Sequence, residues 1–299
     1  MKETILETGY AKINLHLDIT GILPNGYHEV QTVMQTVSLC DKITLSDIKE
    51  TAGSSRFSVT CNVPGVPCDE RNLAVRAALL FCERSGAHIT ANIDIVKNIP
   101  MAAGMAGGST DGAAVLRGLN RASEYPLSID ELCALGSELG ADVPFCIRGG
   151  TLYADGKGDI LHEFPKMPAC HIVVACEGEG VSTPWAYGLL DKKYNKFDGS
   201  IYTSKDISQL KRSLSANDIN AVAENMYNVF ETPVLLERPI AARIKSILSE
   251  GGALRSMMSG SGPSVFGIFL CEKCAAHAIS LLEQHGYRGY LCCPVYQDL

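Results

Sequence analysis

Residues 100–116 read PMAAGMAGGSTDGAAVL and combine four glycines and five alanines with a serine, a threonine and an aspartate. Alternating apolar residues before this stretch, at 89–96, predict a strand that ends near Lys97. Apolar residues at helical spacing, at 111–120, predict a helix that starts near Ser109. The first turn of a helix has N–H groups without intrahelical partners, and the helix dipole adds partial positive charge there. The stretch therefore predicts a phosphate-binding loop.

Small side chains suit such a loop because larger ones would keep phosphate oxygens away from the backbone N–H groups. Two common phosphate motifs do not fit. The G-x-x-x-x-G-K-[ST] pattern is absent. The sheet before the loop has the pattern of an antiparallel meander, whereas dinucleotide-binding loops follow the first strand of a βαβ unit. Composition alone leaves a second interpretation open, a glycine-rich turn with a small-residue helix packed against a sheet.

The whole sequence predicts a globular protein of the cytoplasm. Its 299 residues exceed the usual size of a single core and favour two domains. The formal net charge of -7 disfavours a nucleic-acid partner. The first residues, MKETILETGYAKINLHL, lack the features of a signal peptide, and no apolar run is long enough for a membrane span. We therefore expect no nucleic-acid or membrane partner.

Twelve cysteines are expected to be mostly free thiols in a reducing compartment. Cys271 and Cys274 form a C-x-x-C pair, and Cys292 and Cys293 follow, which raises a zinc ribbon as the alternative. A second C-x-x-C is missing, and adjacent side chains in a strand point to opposite faces. Free thiols are the favoured interpretation.

Apolar periodicity predicts an α+β protein whose two domains comprise residues 1–162 and 163–299. Besides 89–96, the predicted strands cover residues 13–19, 30–39, 42–45, 152–154, 171–176, 264–270 and 289–295. Besides the helix after the loop, the predicted helices cover residues 72–84, 128–139, 215–230, 239–250 and 273–285. The first of these strands is expected to be half-buried, and polar residues 192–206 are expected to form an exposed loop.

The pattern P-x-x-x-G-x-x-G-G-S-[ST]-D-x-A at residues 100–113 resembles the ATP-binding loop of the GHMP kinase superfamily, whose members phosphorylate small molecules. AKINLHL at 11–17 and MSGSGPSVFGIF at 258–269 match two further motifs in the right order. The resemblance spans almost the whole chain. It implies an N-terminal domain like domain 2 of ribosomal protein S5 and a C-terminal ferredoxin-like α/β sandwich.

Two longer segments, residues 11–32 and 140–159, resemble the members of this superfamily that act on a cytidine diphosphate-linked methylerythritol. This implies phosphorylation of the 2-hydroxyl of that small molecule with ATP and Mg²⁺, in the non-mevalonate route to isoprenoid precursors. Two alternatives stay open. One is a kinase of the same fold for mevalonate-type or sugar alcohols, and the other is a non-catalytic nucleotide-binding module. A monomer and a homodimer are equally compatible with the sequence.

The resemblance assigns catalysis to Lys12 and Asp142. An alcohol must lose its proton as it attacks the γ-phosphorus, and the protein otherwise supplies position and positive charge. Asp142 would lie beside the hydroxyl, and Lys12 would lie beside both Asp142 and the γ-phosphate, keeping the carboxylate ionised. An ordinary ion pair is the alternative. Whether Asp142 accepts the proton or only orients the hydroxyl is left open.

The cytidine end of the substrate needs a flat slot and a hydrogen-bonding partner for the base edge. Tyr27 supplies an aromatic ring and His28 an imidazole. The resemblance also places Asn14 toward the substrate. Tyr187 is the favoured second wall of the slot, with Trp185 as the alternative.

The predicted ATP contacts lie in the loop or next to it: Pro100, Met101, Ala102, Ala103, Gly104, Met105, Ala106, Gly107, Gly108, Ser109, Thr110, Lys97 and Asn72. For Lys97 and Asn72, a solvated surface position is the alternative. Ser109 is the candidate hydroxyl ligand of Mg²⁺. Residues 259–262 would bring further N–H groups from the other domain.

The chain departs from the usual pattern of the superfamily at four positions. Ala102, Ala103 and Ala106 stand where glycine is more common, and Asp159 stands where glutamate is common. A negative φ at the three alanines would still let phosphate approach the backbone. We therefore expect an altered affinity for ATP and a retained function.

Overall fold

The computed structural model describes residues 4–124, 126–178, 180–194 and 202–296. The strands are β1 (Thr4–Ile22), β2 (His28–Glu50), β3 (Arg56–Cys61), β4 (Ile89–Val96), β5 (Thr151–Asp155), β6 (Ile160–Glu163), β7 (His171–Ala175), β8 (Tyr227–Asn228), β9 (Arg255–Met258), β10 (Val265–Phe269) and β11 (Gly289–Cys292). The helices are α1 (Leu73–Ser85), α2 (Gly107–Ala122), α3 (Ile129–Leu139), α4 (Val143–Arg148), α5 (Thr183–Tyr194), α6 (Ser208–Ser215), α7 (Ile219–Asn225), α8 (Glu231–Glu237), α9 (Pro239–Glu250) and α10 (Glu272–Gln284).

The larger sheet has seven strands, in the order β3-β4-β2-β1-β8, with β5 paired to β2 and β6 to β5. The β1–β2, β2–β4 and β2–β5 pairs are antiparallel, whereas β3–β4 is parallel. Helices α1 to α4 bury their apolar faces against one side of this sheet, where Phe81, Leu116 and Phe145 are almost completely buried. Burial of this apolar area is the main force that holds the helices on the sheet.

The smaller sheet has the antiparallel order β11-β7-β10-β9. Helices α9 and α10 cover one face of it. The other face contributes Ile172 and Phe266 to a core shared with Ile13 and Val33 of the larger sheet. Strand β8 crosses between the two parts of the chain because it pairs in parallel with β1. Within the described ranges, no helix is both long and apolar enough to cross a membrane.

Strand β1 differs from the predicted half-buried strand. Lys12, Asn14, His16 and Asp18 are all at most 4 % exposed. A register shift places Asn14 opposite Met34 but His16 opposite Val33. Because neighbours on β2 point to opposite faces, the bulge puts Asn14 and His16 on opposite faces of the sheet. The prediction failed because helices cover one face and the second sheet covers part of the other.

Three further predictions needed correction. The expected strands at 30–39 and 42–45 are one continuous strand, β2. The expected helix at 215–230 is α7 followed by β8, and Asp218 caps α7 by accepting hydrogen bonds from the N–H groups of Asn220 and Ala221. In the expected loop at 192–206, α5 continues to Tyr194, and residues 195–201 lie outside the described residues.

One cysteine pair contradicts the expectation of free thiols. Cys271 and Cys274 form a disulfide at the start of α10. The Cys271 sulfur accepts the Cys274 N–H at 3.2 Å, and this helix cap brings the two side chains together. No group of three or more His, Cys, Asp or Glu residues that could hold a metal occurs in the described part of the chain.

Candidate active site

The predicted phosphate loop connects β4 to α2 and has an irregular backbone from residue 100 to residue 106. Ala102 and Ala106 have φ values of 51° and 60°, and Gly104 has a φ of 75°. The condition of negative φ, under which alanine would still let phosphate approach the backbone, is therefore not met at Ala102 and Ala106. Left-handed alanines are strained and persist only where the surroundings hold them in place.

The third motif, residues 258–269, supplies part of that support. A Cβ atom at Gly104 would overlap the carbonyl oxygen of Ser259, so only glycine fits there. The Ser259 hydroxyl donates to the Gly104 carbonyl at 3.2 Å, and the Ser264 N–H donates to the Ala103 carbonyl at 3.3 Å. The third motif thus fixes the loop backbone directly. Absence of a side chain at Gly104 serves this packing as well as access for phosphate.

Side chains of the loop divide into anchors and free groups. Ala103, Met105 and Thr110 are at most 2 % exposed. The Thr110 hydroxyl donates to the Tyr10 carbonyl at 2.8 Å, so it is not available to phosphate as predicted. Ser109, in the first turn of α2, is partly exposed, and its hydroxyl makes no hydrogen bond to any described residue.

The side chains of Lys97 and Asn72, predicted to contact ATP or to be solvated at the surface, are both buried and hydrogen-bonded within the protein. The Lys97 ammonium is buried and donates to Asp41, to Asp111 at 2.7 Å and to the Gly107 carbonyl at 3.0 Å. The Asn72 side chain caps α1, accepting the Ala74 N–H at 2.9 Å and donating to the Pro67 carbonyl at 2.7 Å. Both side chains have their hydrogen bonds satisfied inside the protein, so they shape the surroundings of the loop.

Lys12 and Asn14 lie on the sheet face that packs against α2 and α4. The Lys12 N–H donates to the Met105 carbonyl at 3.3 Å, which joins β1 to the loop. The Lys12 ammonium donates to the Asn14 side chain at 2.8 Å, and Asn14 donates to the Thr32 hydroxyl at 2.9 Å. The Lys12 backbone is thus joined to the loop, and its ammonium is fixed by Asn14 and Thr32.

Asp142 immediately precedes α4 and makes no capping hydrogen bond through its side chain. The predicted contact with Lys12 is not a direct ion pair, because the described ion pairs within 4.0 Å do not include these two residues. Both still act on Cys146: burial, with a contribution from the charge of Asp142, raises the pKa of that thiol to about 12, and Lys12 opposes the rise. The carboxylate and the ammonium therefore lie around the same buried thiol.

Aromatic and polar side chains lie against one another in a cluster that we name the ring pocket, and its members are His28, Tyr187, Asp191 and Phe230. The His28 ring lies 4.4 Å from the Tyr187 ring, centroid to centroid, and its Nε2 lies 2.8 Å from Asp191. Phe230 packs edge-on against Tyr187 at 5.0 Å. Burial raises the pKa of Tyr187 to about 12, and the charge of Asp142 adds to the rise. The ring pocket therefore adjoins Asp142.

The sequence did not single out Asp191 as a site residue. Tyr187 and Asp191 are four residues apart on α5, and this spacing places them on one helix face. The sequence analysis did not predict helix α5, so this four-residue spacing could not be recognised. Of the two candidates for the second wall, Tyr187 is the one brought to His28, whereas Trp185 lies under the Arg238 guanidinium at 4.5 Å. Tyr27 is 62 % exposed on the turn before β2, where the Lys157 ammonium lies 6.0 Å from the centroid of its ring.

Together these elements place an anion-binding loop, a lysine, a carboxylate and a ring pocket along one face of the larger sheet. Such an arrangement can hold a triphosphate at one end and a flat heterocycle at the other. A lysine and a carboxylate between them suit transfer of a phosphoryl group to an alcohol.

Comparison with known families shows which family the chain belongs to. The family model for the GHMP kinases N terminal domain matches residues 72–150, and that for the GHMP kinases C terminal domain matches residues 207–288. Because these matches cover more than half of the chain, it belongs to the GHMP kinases. Within them it is a member of the 4-diphosphocytidyl-2-C-methyl-D-erythritol kinase family, as its relatives of that name show.

The chain is 42 % identical to the relative from Acetivibrio thermocellus over 289 residues, 97 % of this chain and 98 % of the relative. The relative from Bacillus pumilus is 39 % identical over 292 residues, 98 % of this chain and 95 % of the relative. A solved 4-(cytidine 5'-diphospho)-2C-methyl-D-erythritol kinase superposes with a TM-score of 0.79 at 27 % identity, covering 98 % of this chain and all of that one. Homoserine kinase from Cytophaga hutchinsonii shares the fold, with a TM-score of 0.76 at 17 % identity, covering 99 % and 96 %.

Proposed function

We propose that this chain transfers the γ-phosphoryl group of ATP to the 2-hydroxyl of 4-diphosphocytidyl-2-C-methyl-D-erythritol, giving the 2-phosphate. The observation that carries the proposal is that Lys12 is hydrogen-bonded to the loop before α2, Asp142 acts on Tyr187 of the ring pocket, and both residues act on Cys146. A substrate with a nucleobase at one end and an acceptor alcohol at the other matches that order. The names of the relatives support the same substrate.

ATP is proposed to bind through the backbone N–H groups of the loop and of the first turn of α2. Gly107 and Gly108 leave that turn open, with no side chain to hold the phosphates away. Mg²⁺ would be held mainly by phosphate oxygens and water, with the unengaged Ser109 hydroxyl as the protein ligand. The ion would supply charge neutralisation for the phosphates.

The acceptor hydroxyl is proposed to lie beside Asp142, which orients it and receives its proton as the bond to phosphorus forms. Lys12, fixed by Asn14, contributes positive charge where charge develops on the transferred group. The two residues act from opposite sides of the reacting atoms. Because the acceptor hydroxyl and the γ-phosphate would lie between Asp142 and Lys12, this role does not require a direct ion pair between the two side chains.

The cytosine is proposed to bind in the ring pocket, with a face against Tyr187 and an edge at His28. Asp191 fixes the His28 ring through its Nε2 atom and so determines which nitrogen faces the base. Tyr27 is proposed to cover the base from the exposed turn. A sugar or a linear acid such as homoserine would leave these rings without a partner.

A coupled assay of ADP release tests the proposal. The purified chain is supplied with Mg-ATP and, separately, with 4-diphosphocytidyl-2-C-methyl-D-erythritol, mevalonate, homoserine or galactose. We expect turnover of the cytidyl substrate alone. Faster turnover of one of the other alcohols would support a different kinase of the same fold. ATP binding without turnover of any alcohol would support a nucleotide-binding module and contradict the proposal.

A further inference from the structure

A buried cluster of charges lies directly beneath the phosphate loop, and we name it the charge cluster: Asp41, Lys97 and Asp111. Their side chains are 0 %, 6 % and 6 % exposed. Lys97 uses its three N–H donors on three acceptors, namely the two carboxylates and the Gly107 carbonyl. Gly107 is the first residue of α2, so the ammonium is tied to the exit of the loop.

The same cluster is tied to the entry of the loop. One oxygen of Asp41 accepts the N–H groups of Asn98 and Ile99, at 2.6 and 2.9 Å. Asp41 lies on β2, so the loop entry, the loop exit and the central sheet meet at one ion pair. Between these attachment points the backbone includes Ala102 and Ala106 at positive φ, a conformation that needs support from its surroundings.

The cluster contains more negative charge than a purely structural ion pair requires. Two carboxylates face one ammonium, and the Asp111 Oδ1 atom is buried without a hydrogen-bond partner. Burial raises the pKa of Asp111 to about 7, although the charge of Lys97 opposes the rise, and Asp41 adds to it. Burial alone would lower the pKa of Lys97, but the charges and hydrogen bonds of Asp111 and Asp41 outweigh it and raise that pKa.

We propose that Asp41, Lys97 and Asp111 are positioning residues that hold the two ends of the phosphate loop together and so preset its N–H groups for the phosphates of ATP. The inference rests on the proposed use of this loop for ATP. None of the three side chains contacts the nucleotide. They restrict the loop before ATP binds, so that less conformational entropy is lost on binding.

Lys97→Met tests the inference, because methionine retains the length of the side chain and loses the ammonium. We expect the Kd for Mg-ATP to rise on the order of tenfold through loss of preorganisation, with the Kd for the cytidyl substrate changed less than about twofold. Amide hydrogen exchange in residues 98–107 should become faster in the absence of any ligand. Lys49→Met, which removes an exposed lysine from β2, is the matched control and should change none of these quantities.

A second variant covers the case in which Lys97→Met does not fold. Lys97→Met/Asp111→Asn leaves one buried carboxylate, and that carboxylate keeps its two backbone N–H partners. It should fold and still bind Mg-ATP on the order of tenfold more weakly than the wild type.

An unchanged Kd for ATP in a folded Lys97→Met protein would overturn the inference. Equal weakening of ATP and of the cytidyl substrate would also overturn it, since that result describes a general loss of structure. A wild-type protein that binds no ATP would contradict the proposed function and this inference together. If the wild type binds ATP and the Lys97→Met protein binds it with the same Kd, this inference alone is contradicted.

Discussion

The phosphate loop and the ring pocket use opposite strategies. The loop is one contiguous segment whose backbone is proposed to face the phosphates, while Ala103, Met105 and Thr110 are buried as anchors. The ring pocket uses side chains from separate elements, and His28 meets Asp191 across 163 positions of sequence. A contiguous motif therefore locates a backbone site without giving the roles of its side chains. A side-chain site gives individual roles only once the fold brings its members together.

Asp142→Asn should have the largest effect, because Asp142 is proposed to lie beside the reacting hydroxyl and to receive its proton. We expect kcat to fall by roughly 10²–10⁴, the usual contribution of a positioned acid or base. Equilibrium binding of ATP and of the cytidyl substrate should persist. Asp159→Asn, which changes a carboxylate paired with Lys157, is the control. Retention of more than about a tenth of the activity in Asp142→Asn would contradict the assigned role.

Two loop glycines separate packing from phosphate access. Gly104→Ala combines a positive φ with overlap on the Ser259 carbonyl, and should lower the free energy of unfolding by about 3 kcal/mol. An added Cβ at Gly108 would meet only Leu73, at 3.6 Å, so Gly108→Ala should change stability by less than about 1 kcal/mol. It should instead raise KM for ATP. Thermal unfolding and kinetics measure both. Equal stability losses in the two variants would contradict this division.

His28→Ala tests the ring pocket. Loss of a hydrogen bond to the base edge and of a ring contact should raise KM for the cytidyl substrate on the order of tenfold. KM for ATP should stay the same. Asp191→Asn should give a smaller change in the same direction, because it only releases the His28 ring. Trp185→Leu serves as the comparison, and a larger rise in KM for that variant would assign the second wall to Trp185.

Asn72→Ala should have the smallest effect. Because Asn72 caps α1 within the protein, its loss should lower the free energy of unfolding by about 1 kcal/mol. KM for ATP should not change. A rise in KM with unchanged stability would restore the direct nucleotide contact that the sequence predicted for this residue.

The sequence was informative where local physics decides the structure. Strand β4 and helix α9 have the predicted bounds, and the helix predicted at 128–139 is α3, capped by Ser128. Interactions between distant segments were not predictable. The bulge that separates Asn14 from His16 depends on the partner strand, and β8 is a strand only because it pairs with β1. Helix α4 has six residues, too few for a periodic signal, yet it carries Asp142 at its start.

The candidate site followed the same rule. Motif spacing located the loop, but the roles of Lys97, Thr110 and Asn72 depend on Asp41, Tyr10 and Pro67, which lie outside the motif. These partners are distant in sequence, so no local sequence pattern indicates that the three side chains are buried. The loop motif was interpreted through its backbone N–H groups, so the structural roles of its side chains were not predicted.

A crystal structure with a non-hydrolysable ATP analogue and 4-diphosphocytidyl-2-C-methyl-D-erythritol tests the central claim most directly. The account predicts phosphates on the N–H groups of Gly107 and Gly108, the cytosine against Tyr187 and His28, and the Asp142 carboxylate within hydrogen-bonding distance of the 2-hydroxyl. Phosphates held mainly by side chains, or a 2-hydroxyl remote from Asp142, would contradict it.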